Sequence, residues 1–400
     1  MKIPLLKKTD VKELSSKEIL LTRLKAKRKE VTPKYFISSG SDNLNLALTG
    51  DINKAYCVGR TYNIVGGYST GKTLLACEAI NVIWYLEHLM KRKKVKIVYD
   101  ENESAFDFDL AENFGMPLDN IEWEESGTVE NFKMNIWKHI KAAEDCDILL
   151  YIVDALDALT DEAEMKKMKE EMKTLEKRQK KLEGEKEDTK DDEKEEKLKG
   201  DYGAKKAKEL SKFFRTTIRD LKRTNCILLI ISQIRDDLKA KYGTKAIRTG
   251  GKAFDFYCTG VIWLDEDTII QSKTFKIPQG AAIDAYVRKN KLYSPRRRAR
   301  FDLLYTHGIE NYGSLIEFCA LNGGIKKSGG YFEWDDKKYY KNDLIKFFDK
   351  DNDEYEKLKE IAQETWSKME ADAKIDLKPK WKLIKLDDFI KPTIKKFKLT

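Results

Sequence analysis

The stretch that most constrains this 400-residue chain is Gly66-Gly67-Tyr68-Ser69-Thr70-Gly71-Lys72-Thr73. It satisfies G-x-x-x-x-G-K-[ST], the spacing of a phosphate-binding loop. The run Tyr62-Asn63-Ile64-Val65 in front of it reads as a strand, and Leu74-Leu75-Ala76-Cys77-Glu78-Ala79-Ile80 behind it reads as the opening of a helix. That strand–loop–helix context separates the motif from an accidental glycine-rich turn. Glycines let the backbone curl until successive N–H groups point at phosphate. The helix N-terminus adds its positive dipole end. Gly66, Gly67, Tyr68, Ser69, Thr70 and Gly71 are therefore expected to cradle the phosphates of ATP or another nucleoside triphosphate. Lys72 is expected to reach the β- and γ-phosphates, and Thr73 to hold Mg²⁺.

A second group of residues belongs with such a loop. Lys94-Val95-Lys96-Ile97-Val98-Tyr99-Asp100 reads as a strand running into Asp100, Glu101 and Glu103. Acids at the carboxyl end of a strand lie where an α/β fold places its chemistry. Glu103 or Glu101 is thus a candidate to position an attacking water, against the plainer reading of a surface turn. Asp147-Ile148-Leu149-Leu150-Tyr151-Ile152-Val153-Asp154 is a continuous apolar strand closed by an aspartate, the pattern of a Mg²⁺-holding carboxylate. Cys226-Ile227-Leu228-Leu229-Ile230-Ile231 is the next core strand and ends at Ser232-Gln233. A neutral amide there can donate to a γ-phosphate without adding charge.

The segments between these strands read as helices over 107–119, 129–143 and 202–223, the last with Leu210, Phe213, Phe214, Ile218 and Leu221 on its inner face. Residues 161–199 are mostly Glu, Asp and Lys, with Met165, Met168, Met172 and Leu175 at heptad-like steps. They read as a protruding helix, doubled back near Gly184, and then a linker. The polar, basic loop 236–251 suits a phosphate backbone, with Tyr242 or Ile247 able to contact bases. An ordinary surface loop is equally compatible with its composition. Strands follow over 257–264, 283–289 and Phe301–Tyr305, the last after the basic run Arg296-Arg297-Arg298-Ala299-Arg300. With no helices between them, they suggest an antiparallel extension of the sheet.

Composition adds limits. The formal net charge is +9, compatible with a polyanionic partner without establishing one. Six cysteines without a C-x-x-C pair read as buried free thiols in a reducing compartment. Three histidines make a histidine-based metal site a poor expectation. No signal-peptide core or membrane-length apolar stretch is present in the sequence given, which points to the cytoplasm and to no membrane partner.

In their order these pieces resemble the RecA family of recombinases, phage relatives included, over about residues 37–370. Ile37-Ser38-Ser39-Gly40-Ser41 with Leu44 and Ala47-Leu48 matches the family's lead-in to the phosphate loop. Glu103-Ser104-Ala105-Phe106-Asp107 resembles the segment whose glutamate activates water; the match implies Glu103 as base and Asp107 near the adenine. The family's usual aromatic at the adenine is Leu110 here, and Ala155 replaces a hydroxyl residue after Asp154. Ser232-Gln233-Ile234-Arg235 resembles the nucleotide-sensing glutamine ahead of the second DNA-binding loop, and Thr249-Gly250-Gly251-Lys252-Ala253 the end of that loop. The resemblance implies DNA contacts from Arg235, Lys239, Lys241, Tyr242, Lys245, Ile247, Arg248, Gly250 and Gly251. Lys289-Asn290-Lys291 matches a lysine pair that reaches a neighbour's γ-phosphate.

The implied fold class is α/β: a RecA-like phosphate-loop ATPase core with a central, mostly parallel sheet, an N-terminal helical arm and a small C-terminal α/β domain. The expected divisions are 1–35 for the arm, 36–312 for the core, 313–370 for the small domain and 371–400 for a basic tail. The resemblance implies a DNA-dependent ATPase using ATP and Mg²⁺, held by Thr73 and Asp154. It implies a helical filament on single-stranded DNA, pairing with homologous double-stranded DNA, and a recombination mediator or single-strand-binding protein as a partner. The bacterial cytoplasm, a phage-infected host included, is the implied location. Two other readings share the core: a ring-forming hexameric helicase, and a non-catalytic DNA-binding filament protein.

Overall fold

In the computed structural model, residues 35–183, 202–236, 246–248 and 255–374 are described. They fall into two compact units, Met1–Ser314 and Leu315–Thr400. The first opens with β1 (Phe36–Ile37), α1 (Asp42–Thr49), β2 (Tyr56–Cys57), β3 (Thr61–Gly66) and α2 (Lys72–Val82). It continues with β4 (Val95–Glu101), α3 (Phe108–Asn113), β5 (Ile121–Glu124), α4 (Val129–Ala142) and β6 (Ile148–Asp154). Then come α5 (Glu162–Glu183), α6 (Tyr202–Arg223), β7 (Cys226–Asp236), β8 (Ala246–Arg248), β9 (Gly260–Gln271), β10 (Pro278–Asn290), β11 (Arg297–Leu304) and β12 (Gly308–Glu310).

One large sheet organises this unit, in the order β12-β11-β10-β9-β3-β7-β6-β4-β5, with β8 added on β7. The strands from β9 through β5 are parallel neighbours, and β10, β11 and β12 extend the sheet antiparallel. Every residue of β3 and β6 is buried. A parallel strand covered on both faces needs a continuous apolar run, which these sequences supply. One face packs α4 and α6 against the strands through Phe132, Ile136, Ile140, Leu210, Phe213, Phe214 and Leu221. Among the residues of α6 whose burial is described, the exposed positions are Lys208, Lys212, Arg215, Thr216, Arg219, Lys222 and Arg223, so the helix buries one stripe and hydrates the other.

The lead-in segment is held by its own polar groups. Ser41 Oγ caps α1 by accepting from the Leu44 N–H at 3.3 Å, and Gly50 ends the helix at φ 75°. Asn43 Nδ2 donates to the Arg300 carbonyl at 2.8 Å, tying α1 to β11. Five cysteines are buried and Cys146 is half-buried, all as free thiols.

Several expectations are corrected. The helix expected over 107–119 is only Phe108–Asn113, followed by a 3-10 turn at Leu118–Asn120, because Gly115 and Pro117 end it early. The strand β5 after that turn has no counterpart in the sequence reading. The strand expected over 257–264 starts at Gly260, and β9 and β10 run several residues further into a long hairpin. The basic run 296–300 lies largely on β11 instead of preceding it. The charged segment forms one helix as far as Glu183, and the reversal expected near Gly184 lies outside the described residues. The arm expected over 1–35, except for its last residue, and most of the tail expected over 371–400 also lie outside them.

The second unit is small and self-contained. It takes in most of α7 (Asn311–Leu321), then β13 (Lys327–Ser328), β14 (Tyr331–Trp334), β15 (Lys337–Tyr340), α8 (Lys341–Lys350) and α9 (Asn352–Asp372). The strands form an antiparallel sheet. Trp334 packs edge-on against Phe348 at 4.8 Å and donates its indole N–H to Glu354 at 2.7 Å. Asp351 caps α9.

Candidate active site

Parallel strands bring their carboxyl ends to one edge, so residues far apart in sequence meet there. Gly66 at the end of β3 is level with Gln233 on β7, and Glu101 on β4 is level with Asp154 on β6. The phosphate loop leaves β3 and enters α2 through Ser69 and Gly71, whose φ angles are 54° and 77°. A side chain at Gly66 would collide with Thr70 Oγ1 and the Leu264 carbonyl, which is why glycine is needed there. Lys72 Nζ donates to the Gly67 carbonyl at 2.5 Å, which folds its side chain back over the loop. Burial pulls the Lys72 pKa down, while Asp154, Glu103 and Asp157 oppose that shift. The Tyr68 side chain is 94% exposed.

Asp154 is the buried carboxylate that faces the phosphate loop. Thr73 Oγ1 donates to its Oδ2 at 2.8 Å and the buried Tyr99 hydroxyl donates to the same oxygen at 2.7 Å. Its pKa is raised, first by burial, with the two hydroxyl bonds acting in the opposite sense. A carboxylate whose ionised form is penalised by burial is stabilised in that form by a cation. Among the described residues no cluster of three or more His, Cys, Asp or Glu side chains could hold a metal alone. One carboxylate beside a threonine hydroxyl and a phosphate loop nevertheless fits Mg²⁺, which characteristically takes one or two carboxylates plus substrate phosphates.

The two candidate glutamates are differently employed. The Glu101 carboxylate accepts the backbone N–H groups of Glu103, Ser104 and Ala105 at 3.1, 2.9 and 3.2 Å. It is committed to shaping the turn that carries Glu103. The Glu103 carboxylate instead accepts from Gln233 Nε2 at 2.7 Å. Burial first, and then repulsion from Asp154, raise the Glu103 pKa, while the Gln233 bond and Lys72 lower it. Asp107 lies on the turn into α3, its carbonyl accepting from the Ala111 N–H at 3.0 Å.

Strand alternation turns Asp100 the other way. Its carboxylate is fully buried and accepts from the Ser126 N–H at 3.0 Å, Ser126 Oγ at 2.6 Å, the Tyr151 hydroxyl at 2.7 Å and Asn102 Nδ2 at 3.1 Å. Asn102 in turn accepts from the Gly127 N–H at 2.9 Å. This network clamps the root of the Glu103 turn to the 126–128 segment. Asp100→Ala leaves several buried donors unpaired and is expected to destabilise the fold by on the order of 3 kcal/mol, read as a lower urea midpoint at unchanged slope.

An aromatic cluster unforeseen from the sequence lies alongside. Phe106 meets Tyr99 at 5.0 Å, Trp123 at 5.1 Å and Phe108 at 5.0 Å, and Phe108 is 52% exposed. The side chain of Leu110 lies outside the described residues.

Beyond Gln233 the strand continues to Asp236, and Ile234–Asp236 pair antiparallel with Ala246–Arg248. The expected loop 236–251 is therefore partly a β-ribbon, carrying Arg235 on one strand and Ile247 and Arg248 on the other. Lys239, Lys241, Tyr242, Lys245, Gly250 and Gly251 lie outside the described residues. The Gln233 N–H donates to Asp157 Oδ2 at 2.5 Å, which ties β7 to the turn after Asp154.

Lys289 and Lys291 do not join this edge. Lys289 is paired with Val261 and Asn290 with Gly260, and Gly260 is level with Tyr62 at the start of β3. From Tyr62 to Gly66 the sheet runs about 13 Å at ~3.3 Å per residue. The lysines instead hold carbonyls beside them: Lys289 Nζ donates to Asp255 O, and Lys291 Nζ to Phe256 O at 2.7 Å. Burial, with Lys291 next in effect, lowers the Lys289 pKa.

Comparison with known proteins gives one coherent result. A family model described as the RecA N-terminal domain matches residues 188–310. The chain is 30% identical over 315 residues to Protein RecA of Wigglesworthia glossinidia brevipalpis, covering 76% of this chain and 78% of that protein. It is 29% identical over 303 residues to Protein RecA of Bartonella bacilliformis, covering 76% and 74%. It is 27% identical over 352 residues to Protein RecA of Wolbachia sp. subsp. Brugia malayi, covering 86% and 84%.

Proposed function

The chain belongs to the RecA family, and on that premise we propose that it is a DNA-dependent ATPase that forms a helical filament on single-stranded DNA and catalyses homologous pairing and strand exchange. The observation that carries the coupling between ATP and DNA is the 2.7 Å bond from Gln233 Nε2 to Glu103 Oε1. One residue further along β7 begins the ribbon expected to touch DNA.

The roles follow from position. The loop Gly66–Thr73 binds the triphosphate, with Lys72 on its β- and γ-phosphates. Thr73 and Asp154 hold Mg²⁺, which when bound neutralises charge on the phosphates. Glu103 orients and deprotonates the attacking water. Asp107 faces the adenine, and the half-exposed ring of Phe108 offers the stacking surface that Leu110 lacks. Gln233 exchanges its bond to Glu103 for one to the γ-phosphate, releasing the carboxylate for water and shifting the ribbon. Lys289 and Lys291 act on the neighbouring subunit's nucleotide, as an arginine finger does in trans.

The DNA contacts are largely to the backbone, so affinity falls steeply with salt. No helix among the described residues is long and apolar enough to cross a membrane. The reading places the protein in the bacterial cytoplasm, with a phage-infected host included, and allows a mediator or single-strand-binding protein as partner.

The test is Gln233→Ala. ATP binding should persist, because the phosphate loop is untouched. The rise in single-stranded-DNA affinity on adding a non-hydrolysable ATP analogue should shrink by roughly tenfold or more, on the scale of a typical coupling free energy. Full nucleotide-dependent affinity in the variant would remove Gln233 from the coupling. Electron microscopy of the wild type with the analogue and single-stranded DNA should give open filaments; closed rings would favour a helicase instead.

A further inference from the structure

At the edge of the first unit away from the phosphate loop, α2 continues as a π-helical turn, Ile83–His88. That turn and the residues after it expose Tyr85, Leu86, Leu89 and Met90 at 46, 44, 52 and 53%. Four large apolar side chains within six residues make a patch, in contrast to the single exposed residues that any soluble surface carries. A cavity of about 580 Å³ opens beside it. Lys91, Arg92, Lys93 and Lys94 line it in succession, with Asp147 as its one carboxylate. Asp147 Oδ2 is already used, accepting the Lys94 N–H at 2.9 Å. Lys93 sits 5.1 Å from the Tyr35 ring, and Lys91, Arg92 and Lys94 make no ion pair among the described residues. An apolar patch beside four successive cations, which outnumber the carboxylates near them, Asp147 and the buried Glu87, selects a partner that brings both apolar groups and negative charge.

The chemistry of that partner can be narrowed. A single strand gripped through its bases would need free aromatic faces. Here Trp84 is covered by the His88 ring, stacked at 3.9 Å, and Tyr85 is fixed through its hydroxyl to the Gly115 carbonyl at 2.9 Å. The groups left free are Leu86, Leu89 and Met90, which suit peptide side chains. Three of this chain's own segments are poor occupants: residues 375–400, for one, carry eight basic and three acidic residues, a net charge of the wrong sign. Residues 1–34 carry eleven basic and four acidic residues, the wrong sign. Residues 185–196 carry eight acidic residues and no large apolar one.

We propose that this face docks an acidic peptide of a partner protein, one that places aliphatic or aromatic side chains between its carboxylates. The apolar side chains lie on Leu86, Leu89 and Met90, and the carboxylates meet Lys91, Arg92 and Lys94. The face is remote from the nucleotide edge, so the inference stands or falls independently of the recombinase reading.

The test uses the full chain and fluorescence anisotropy. The probe is a short labelled peptide in which Asp alternates with Leu and Phe. One control peptide has Gly for every Leu and Phe, and another has Lys for every Asp. The wild type should bind the first peptide and neither control. The surface pairs Leu86→Ser/Leu89→Ser and Lys91→Glu/Arg92→Glu should each weaken binding by roughly tenfold or more. Both pairs should keep wild-type ATP turnover, which verifies their fold. Equal binding of the acidic peptide and its Gly control would overturn the proposal, as would unchanged affinity in both variants. It would also be overturned if the variants kept peptide binding and lost affinity for single-stranded DNA or phosphatidylserine vesicles, since the face would then serve a different class of partner.

Discussion

Glu103→Gln is expected to bind ATP normally and to lose ATP turnover by roughly 10²–10⁴-fold, the usual contribution of a positioned general base. Glutamine keeps the shape of the side chain and can still meet Gln233 after an amide flip, so the turn held by Glu101 should survive. What is lost is the ability to take a proton. Glu101→Gln should act differently, because its carboxylate accepts three backbone N–H groups and touches no reacting atom. It should lower stability and lower turnover only modestly.

The pH profile carries the same signature. Burial and the Asp154 charge raise the Glu103 pKa above the ordinary carboxylate value. A base works ionised, so turnover should rise with pH through that elevated pKa and be lost below it. An acid limb at the position of an unperturbed glutamate, or unchanged turnover in Glu103→Gln, would exclude Glu103 as the base.

The second large effect is expected from Lys289→Ala/Lys291→Ala. Within one chain these lysines stand at the amino edge of the parallel strands, level with the start of β3, while the phosphate loop leaves its end. If they act on a γ-phosphate, it belongs to another copy. The double variant should bind ATP as an isolated subunit and lose DNA-stimulated turnover by roughly 10²-fold or more, as removal of a charge-stabilising donor does elsewhere. Loss of ATP affinity at protein concentrations too low for assembly would contradict this, since neither Lys289 nor Lys291 of the same chain should be near the nucleotide.

The parts of this site that were legible in the sequence share one physical cause. Parallel strands buried on both faces need unbroken apolar runs, so Ile148–Val153 and Cys226–Ile231 stand out, and the polar residue closing each run marks the edge where ligands bind. Features that depend on the phase of alternation were not legible. Asp100 and Glu101 both read as strand-end acids, yet Asp100 turns inward to Tyr151 and Ser126 while Glu101 caps a turn. The cluster of Tyr99, Phe106, Phe108 and Trp123 was not legible either, because it draws on β4, β5, the loop before α3 and the first residue of α3. The strand β5 is four residues long, and its two acids interrupt the apolar signal. The continuation of β9 past Leu264 is mostly exposed, so its residues carry no core pattern.

The central claim is that each site is completed by two subunits, and mixing inactive variants tests it most directly. Glu103→Gln lacks the base but keeps the lysines. Lys289→Ala/Lys291→Ala keeps the base but lacks the lysines. In a head-to-tail filament assembled at random from equal amounts, roughly a quarter of interfaces join an intact base to intact lysines. The account predicts that the mixture, on single-stranded DNA, recovers about that fraction of wild-type turnover although neither variant turns over alone. A mixture as inactive as its components, at concentrations where electron microscopy finds mixed filaments, would contradict a site shared between neighbours.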